Sequence, residues 1–337
     1  MAAASAQIRR FPVRVAALIG LVAGFGLVAA QALPLLGAAA IAMLTGVAIR
    51  TLAPARLTAG IPPKLGSKVL QLSIVALGLS VNLAVIARVT QGSLVVMLTS
   101  LVIGLVTILV FGRLLGLDLP MAALIAAGTS ICGASAIAAV APVVGASSRQ
   151  VARAVTVIFA FNLTAVVLFP LIARAISMGD FHYAVWAGTA VNDTSSVLAA
   201  AFAFGPATVA EAATVKLART IMIVPVVLAF AALAPASSDA PRPPRTRRLR
   251  LIPLFVVAFL AGAALNSVGL VPEVIALAAP KAALVGTVVA LSAIGLTVDL
   301  RSFRGSGATI LLLGLLGWLI VAASSLSLIE IGGFLPV

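Results

Sequence analysis

Long apolar runs alternate along this chain with short segments that carry most of its charge. Runs of about 17 to 25 residues match helices that cross a bilayer and are too long for the strands of a membrane barrel. The pattern predicts an all-α polytopic membrane protein with about 11 transmembrane helices. These lie roughly at 13–30, 34–50, 66–87, 93–115, 119–142, 150–175, 183–204, 210–234, 251–268, 281–300 and 307–329.

A small, polar, glycine-containing signature interrupts two of these runs. It reads GTSICGASAI at 128–137 and GTAVNDTSSV at 188–197, 60 residues later. Irregular backbone at membrane depth is tolerated only where protein or a water-filled cavity shelters it. Because paired interrupted segments mark the binding sites of transporters, we predict a binding site here. Whether 119–142 and 183–204 cross fully or re-enter stays open.

A second internal similarity relates distant parts of the chain. The segment ALGLSVNL at 76–83 resembles AIGLTVDL at 293–300, at an offset of 217 residues. Seven predicted spans separate the two, so they run in opposite directions, as in the inverted repeats of secondary transporters. The two signatures would instead run parallel, which one symmetry axis does not explain. We predict a single transmembrane domain with repeats at about 34–176 and 183–330.

Composition and charge agree with a membrane protein. Hydrophobic residues make up 63% of the chain and charged residues 9%, against about 25% charged in soluble domains. The net charge is +14, and most of the basic residues that produce it lie between the spans, as topology signals do. This placement argues against nucleic-acid binding. It predicts a cytoplasmic N-terminus and a periplasmic C-terminus. The Arg-rich linker 235–250 is expected in the cytoplasm, as a topology anchor or in contact with anionic lipid.

Several kinds of chemistry are not expected. A single cysteine, Cys132, and a single histidine, His182, give no basis for a disulfide, a metal site or a cofactor. The chain contains no phosphate-binding loop, which argues against a primary pump. An intramembrane enzyme with Cys132 or Ser135 as nucleophile would lack a neighbouring base. We therefore expect a transporter and not an enzyme.

The strongest candidate for ion coupling is the pair Asn192 and Asp193, in the middle of an apolar run. A carboxylate at membrane depth is costly and usually faces an interior cavity. The pair could couple protons or sodium to transport, or it could only hold helices together. Asn-Asp also resembles the ion-binding pair of cation/proton antiporters, which keeps cation exchange as an alternative.

Other residues could hold an anion. Hydroxyls and free backbone N–H groups at a helix break can bind an oxyanion, whereas small residues can also merely allow close packing. Lys216 and Arg219 share a helix face and could compensate a dianion, snorkel at the outer interface, or pair with Asp193. Asn162 could bind substrate or join two helices, and Cys132 takes the place of Asn192 in the first signature. The hydroxyl and amide candidates are Thr129, Ser130, Ser135, Asn162, Asn192, Thr194 and Ser195.

Three segments also resemble a known family. These are GTSICGASAI at 128–137, GTAVNDTSSVLAAA at 188–201 and KLARTIMIVPVVL at 216–228, which are similar to hallmark segments of YeiH-type membrane proteins, described as sulfate exporters. The resemblance implies a transporter of the bacterial inner membrane that moves a small inorganic or organic anion such as sulfate. It also implies a distant relation to cation/proton antiporters and bile-acid symporters, with inverted repeats and crossing broken helices. A homodimer stays open.

Overall fold

The computed structural model describes residues 13–33, 36–58, 60–62, 64–233, 254–301 and 307–332. Within these residues the secondary structure is helical, without strands. The predicted linker 235–250 lies outside them. The helices are α1 (Val13–Ala32), α2 (Gly37–Leu52), α3 (Ala55–Thr58), α4 (Leu65–Gly78), α5 (Leu83–Leu114), α6 (Leu119–Ala127), α7 (Ala134–Val140), α8 (Ser148–Ala175), α9 (Asp180–Ala190), α10 (Thr194–Phe204), α11 (Thr208–Ile221), α12 (Ile223–Leu233), α13 (Leu254–Ser267), α14 (Glu273–Gly295) and α15 (Ala308–Gly332).

Six helices in the described part of the chain are long and apolar enough to cross a membrane. Shorter apolar helices lie between them, among them α2, α4 and α13. The chain is thus a polytopic helical membrane protein. The six are Val13–Ala32, Leu83–Leu114, Ser148–Ala175, Thr208–Ala232, Glu273–Gly295 and Ala308–Ile331.

One predicted loop is in the wrong place. The break expected between 87 and 93 lies instead at 79–82, and α5 runs without interruption through 32 residues. The Asn82 side chain accepts a hydrogen bond from the N–H of Ala84 and so caps the start of α5. A side chain that satisfies a free N–H group favours a helix start at this point, whereas Arg88 and Gln91 are simply accommodated within the helix.

The first signature lies in a hairpin and not in a crossing helix. Helix α6 enters, a short π-helical segment (Gly128–Cys132) follows, and α7 returns. Gly128 lies against Ile137 of the returning helix, since a Cβ at Gly128 would be 2.9 Å from its Cδ1. At the open end, the Gln150 amide donates to the carboxylate of Asp118, just before α6. We call residues 119–140 hairpin 1.

The second signature lies in a similar hairpin formed by α9 and α10. Tyr183 in the first turn of α9 donates to the carbonyl of Ala200 near the end of α10. Its ring stacks on Phe204, the last residue of α10, with centroids 3.9 Å apart. The start and the end of the segment are therefore neighbours. We call residues 180–204 hairpin 2.

The two hairpins enter from opposite faces because α8 connects them. Hairpin 1 ends where α8 begins, and hairpin 2 begins where α8 ends. The 28 residues of α8 span about 42 Å at 1.5 Å per residue, enough to cross a bilayer. Segments 119–142 and 183–204, for which crossing or re-entry was open, therefore re-enter. The crossing of broken helices that the resemblance implies is not observed in either of them. Hydropathy cannot separate the two cases, because a hairpin within the membrane is as apolar as a span.

The helices form two groups. The scaffold group contains α1, α2, α4, α13 and α14, in which α14 packs against α2 and α4, and α13 packs against α4. The hairpin group contains α5, both hairpins, α8, α11, α12 and α15. Helix α10 of hairpin 2 contacts α2 and α14 of the scaffold group. The boundary between the groups therefore runs along hairpin 2.

The hairpins make a testable prediction about topology. In a Cys132→Ser background, Ser177→Cys and Ala207→Cys are expected to react with a membrane-impermeant maleimide from the same face, and Ser147→Cys from the opposite face. All three positions are exposed at helix ends. Labelling of intact cells and of inverted vesicles measures this. Full crossing by 183–204 would instead put positions 177 and 207 on opposite faces.

Candidate functional site

The tips of the two hairpins meet. Gly133, at the turn of hairpin 1, has φ +65° and ψ −129°, a conformation that is strained for any residue with a Cβ. A Cβ at Gly133 would lie 3.5 Å from the Cβ of Asp193, at the turn of hairpin 2. The two signatures, 60 residues apart, are thus brought together at one point.

Two buried cations bind the ends of the entering helices. The Lys216 ammonium donates to the carbonyl of Ile131 at 3.1 Å. Arg219 donates from Nε to the carbonyl of Ser130 at 2.7 Å and from Nη1 to the carbonyl of Thr189. These carbonyls lie in the last turns of the two entering helices, where the helix dipole is negative and carbonyls lack helical partners. Arg219 therefore joins the two hairpin tips, and Lys216 joins the tip of hairpin 1 to α11.

This placement decides between the predictions for the two cations. Both side chains are fully buried on α11, so snorkelling at the outer interface is wrong. Their hydrogen bonds go to main-chain carbonyls, while Asp193 accepts bonds from the start of α10. In the described part of the chain, Asp193 forms no ion pair with either cation. The predicted pairing of Asp193 is thus not observed, and substrate binding by the cations stays a prediction.

Asp193 caps the N-terminus of α10. Its Oδ2 accepts hydrogen bonds from the N–H groups of Ser195 at 3.1 Å and Ser196 at 3.4 Å, and from the Ser195 hydroxyl. A carboxylate is favoured at a helix N-terminus, because the dipole is positive there and N–H groups are free. The carboxylate thus takes the position at which a bound anion would otherwise lie.

Asn162 fixes the depth of the site. Its Oδ1 accepts the N–H of Asn192 at 3.1 Å, just before Asp193. Asn162 lies at the middle of α8, a helix long and apolar enough to cross a membrane, so the tips lie near the middle of its length. Asn162 joins two helices, as one of the sequence alternatives expected, and its side chain also lines a cavity.

That cavity, of about 310 Å³, lies between the two helix groups. Asp193, Ser195 and Asn162 line it from the hairpin group, and Ser67 and Thr297 from the scaffold group. It extends from the tips towards the face at which α4 and α8 begin. Among the described residues that line it, Asp193 alone is charged. The remaining lining residues are Ala134, Val155, Ile158, Phe159, Ile294 and Val298.

Several buried polar atoms around the tips have no hydrogen-bond partner among the described residues. Buried polar groups are almost always satisfied in native structures, so a cluster of unsatisfied ones indicates water, an ion or a ligand. Both polar atoms of the Asn192 amide and Arg219 Nη2 belong to this cluster. The hydroxyl members of the cluster are Thr129, Ser130, Thr189 and Ser196.

The other predicted residues are distributed around the tips. Cys132 is buried at the end of the π-helical segment, and Ser135 is exposed in the first turn of α7. Thr194 is partly exposed at the start of α10. Ser67 and Thr297 also line the cavity, although neither was predicted as a site residue from the sequence. Thr297 could have been found, because it lies within the repeated segment 293–300.

Comparison with known proteins gives the family. The model of the family "Conserved hypothetical protein 698" matches residues 14–314. A "UPF0324 membrane protein" of Clostridium tetani is 35% identical over 71% of this chain and 73% of its own length. A relative of the same description from Brucella melitensis is 34% identical over 88% of this chain and 83% of its own. A third, from Streptococcus agalactiae, is 34% identical over 89% and 92%.

No solved structure matches this chain. The family match spans both hairpins, α11 and most of the scaffold group. Its relatives are described as membrane proteins, in agreement with the apolar helices of the fold. The chain therefore belongs to the Conserved hypothetical protein 698 family, whose members include the UPF0324 (YeiH-type) membrane proteins.

Proposed function

We propose that this chain is a secondary transporter whose substrate binds at the hairpin tips. The observation that carries the proposal is the meeting of two oppositely inserted hairpins, near half depth, beside a cavity that Asp193 lines. Irregular backbone at this depth is found where it lines a transport site. An ionisable residue within the membrane supports the same interpretation.

Equivalent contacts support an inverted repeat. The N–H of Leu83 donates to the Ser267 hydroxyl, and the N–H of Leu300, 217 residues later, donates to the Thr51 hydroxyl. Likewise α4 packs on α13, and α14 packs on α2. Each half thus supplies the packing partner of the other half.

A changed order of elements accounts for both offsets. Helices α2, α4 and α5 correspond to α13, α14 and α15 at offset 217, and hairpin 1 and α8 correspond to hairpin 2 and α11–α12 at about 60. The second repeat therefore begins with its hairpin, as a circular permutation would produce. Because the hairpins enter from opposite faces, all five pairs run in opposite directions, so a single two-fold axis relates them.

We infer the orientation from the basic residues. With both hairpins, Arg149 and Arg153 lie on the same face as Arg113, and Arg174 lies on the other. The two changes of direction cancel, so the first and the last described helices, α1 and α15, keep their predicted directions. The basic face is then cytoplasmic, and the cavity opens towards the cytoplasm.

The first candidate substrate is a small anion such as sulfate, coupled to protons. The tips contain two basic side chains, Lys216 and Arg219, and one carboxylate, Asp193. The positive end of α10 faces the cavity. Protonation of Asp193 would leave this region more positive, so that proton binding and anion binding favour each other. The unsatisfied hydroxyl, amide and guanidinium groups would donate to the oxygens of such an anion.

A second candidate is cation/proton exchange, which one specific observation favours. The polar side chains that line the cavity are a carboxylate, an amide and three hydroxyls, and none is a cation. Oxygen ligands of this kind suit a hard cation. Sodium-dependent collapse of a pH gradient in proteoliposomes, without any effect of sulfate, would favour this candidate.

The test is uptake of radiolabelled sulfate into proteoliposomes with and without an imposed pH gradient. For wild type we expect accumulation that depends on the gradient. For Asp193→Asn we expect gradient-driven accumulation to fall about tenfold or more, because a neutral amide cannot carry the coupling proton. Sulfate-for-sulfate exchange should persist in this variant. Wild-type accumulation by correctly folded Asp193→Asn would contradict the proposed role of Asp193.

A further inference from the structure

The N-terminus of α10 already holds an internal anion. The Asp193 carboxylate accepts hydrogen bonds there from the main-chain N–H groups of Ser195 and Ser196 and from the Ser195 hydroxyl. It also borders the 310 Å³ cavity. The donors that would hold an external oxyanion at this helix end are thus taken by a tethered carboxylate, which an ion in the cavity can reach.

Two side chains at the same place are fully buried and have no hydrogen-bond partner within the part of the chain that the structure describes. The hydroxyl of Ser196 lies in the first turn of α10, and the amide of Asn192 directly precedes the cap. Neither group is satisfied by the Asp193 carboxylate. The helix end therefore has more donors than the internal anion uses, and a larger oxyanion would satisfy them.

We propose that the Asp193 carboxylate occupies the binding site of the transported anion at the N-terminus of α10. Protonation of Asp193 would then let the transported anion replace the carboxylate at this site. The inference rests on the proposed anion transport and adds the device that couples it to protons. One proton from solution adds to the carboxylate and gives a neutral carboxyl, which accepts hydrogen bonds less strongly. The N–H groups of Ser195 and Ser196 then bind the incoming anion.

The groups around Asp193 are compatible with this exchange. Helix α11 contributes Lys216 and Arg219, whose hydrogen bonds to the hairpin carbonyls do not involve Asp193. Hairpin 1 contributes the buried Cys132. The polar groups from the other neighbouring helices are uncharged: Asn162 from α8, Ser67 from α4, and Thr297 after α14. The proton is therefore exchanged at a single carboxylate next to two buried basic side chains.

Equilibrium dialysis of radiolabelled sulfate with the purified full-length protein tests the inference between about pH 5 and pH 8. Because only the protonated form accepts the anion, wild-type affinity should fall as pH rises, by up to about tenfold per pH unit where Asp193 is ionised. Asp193→Asn should bind sulfate with an affinity that does not change with pH. Asp193→Gly, which removes the competing acceptor and is tolerated at a helix cap, should behave likewise. Asp180→Asn, an exposed acid at the start of α9, is the matched control and should keep the wild-type dependence.

The outcomes separate this inference from the proposed function. A pH dependence that persists in both folded Asp193 variants overturns the exchange while leaving anion transport in place. Loss of sulfate binding in both variants makes Asp193 a direct ligand and also overturns it. If wild type binds no sulfate at any pH, the anion proposal falls and the exchange falls with it.

Discussion

Replacing Arg219 with glutamine is expected to lower the free energy of unfolding by about 2 to 6 kcal/mol. The guanidinium donates hydrogen bonds to the carbonyls of Ser130 and Thr189, one in each hairpin, and it is fully buried. A buried polar group that loses its partner costs about 1 to 3 kcal/mol, and here two carbonyls lose theirs. Thermal unfolding of the purified protein in detergent, followed by size-exclusion chromatography, measures the loss.

Three further variants make this prediction specific. Arg88→Gln removes an exposed arginine of α5 and should leave the melting temperature unchanged. Arg219→Lys keeps the charge, but an ammonium cannot reproduce the planar guanidinium that donates to two carbonyls. We therefore expect an intermediate loss of melting temperature. Lys216→Gln affects a single carbonyl, that of Ile131, and should cost less than Arg219→Gln. Unchanged melting of Arg219→Gln would mean that other contacts hold the tips.

The sequence predicted the location of the site better than the path of the chain. Both signatures were predicted to form one site, and Gly133 and Asp193 do meet. That the segments turn back could not be read from hydropathy, because both arms of a hairpin lie within the membrane. The turn depends on long-range contacts such as that of Tyr183 with Phe204.

The role of the two cations was equally hidden. Lys216 and Arg219 lie three residues apart on one helix face, which the sequence shows, but their depth depends on how far α11 continues. Because α11 and α12 together form one apolar stretch, Thr208–Ala232, both residues lie near its middle. Their partners are the main-chain carbonyls of Ser130 and Ile131, in the π-helical segment of hairpin 1, and of Thr189, in the last turn of α9. These carbonyls are free because both entering helices end at the tips.

The final prediction tests the inverted repeat through two matched glycines, Gly78 and Gly295. They occupy the same position in the repeated segments 76–83 and 293–300 and end helices α4 and α14. A Cβ at Gly78 would lie 2.5 Å from the carbonyl oxygen of Phe259, and one at Gly295 would lie 2.3 Å from that of Met43. A main-chain carbonyl cannot move aside as the end of a flexible side chain can. Each Gly→Ala change must therefore push two helices apart, which lowers the free energy of unfolding by about 1 to 3 kcal/mol or more.

We expect Gly78→Ala and Gly295→Ala to lower the melting temperature by similar amounts, because the proposed inverted repeat makes each contact the counterpart of the other. Gly24→Ala is the matched control: a Cβ there meets no atom within 4 Å, and alanine in a helix is favoured over glycine by about 0.5 to 1 kcal/mol. It should leave melting unchanged or raise it slightly. If one of the two matched variants is neutral, the corresponding helix pair is not packed as its counterpart is. The two-fold relation, and with it the changed order of elements, would then lose its support in the scaffold group.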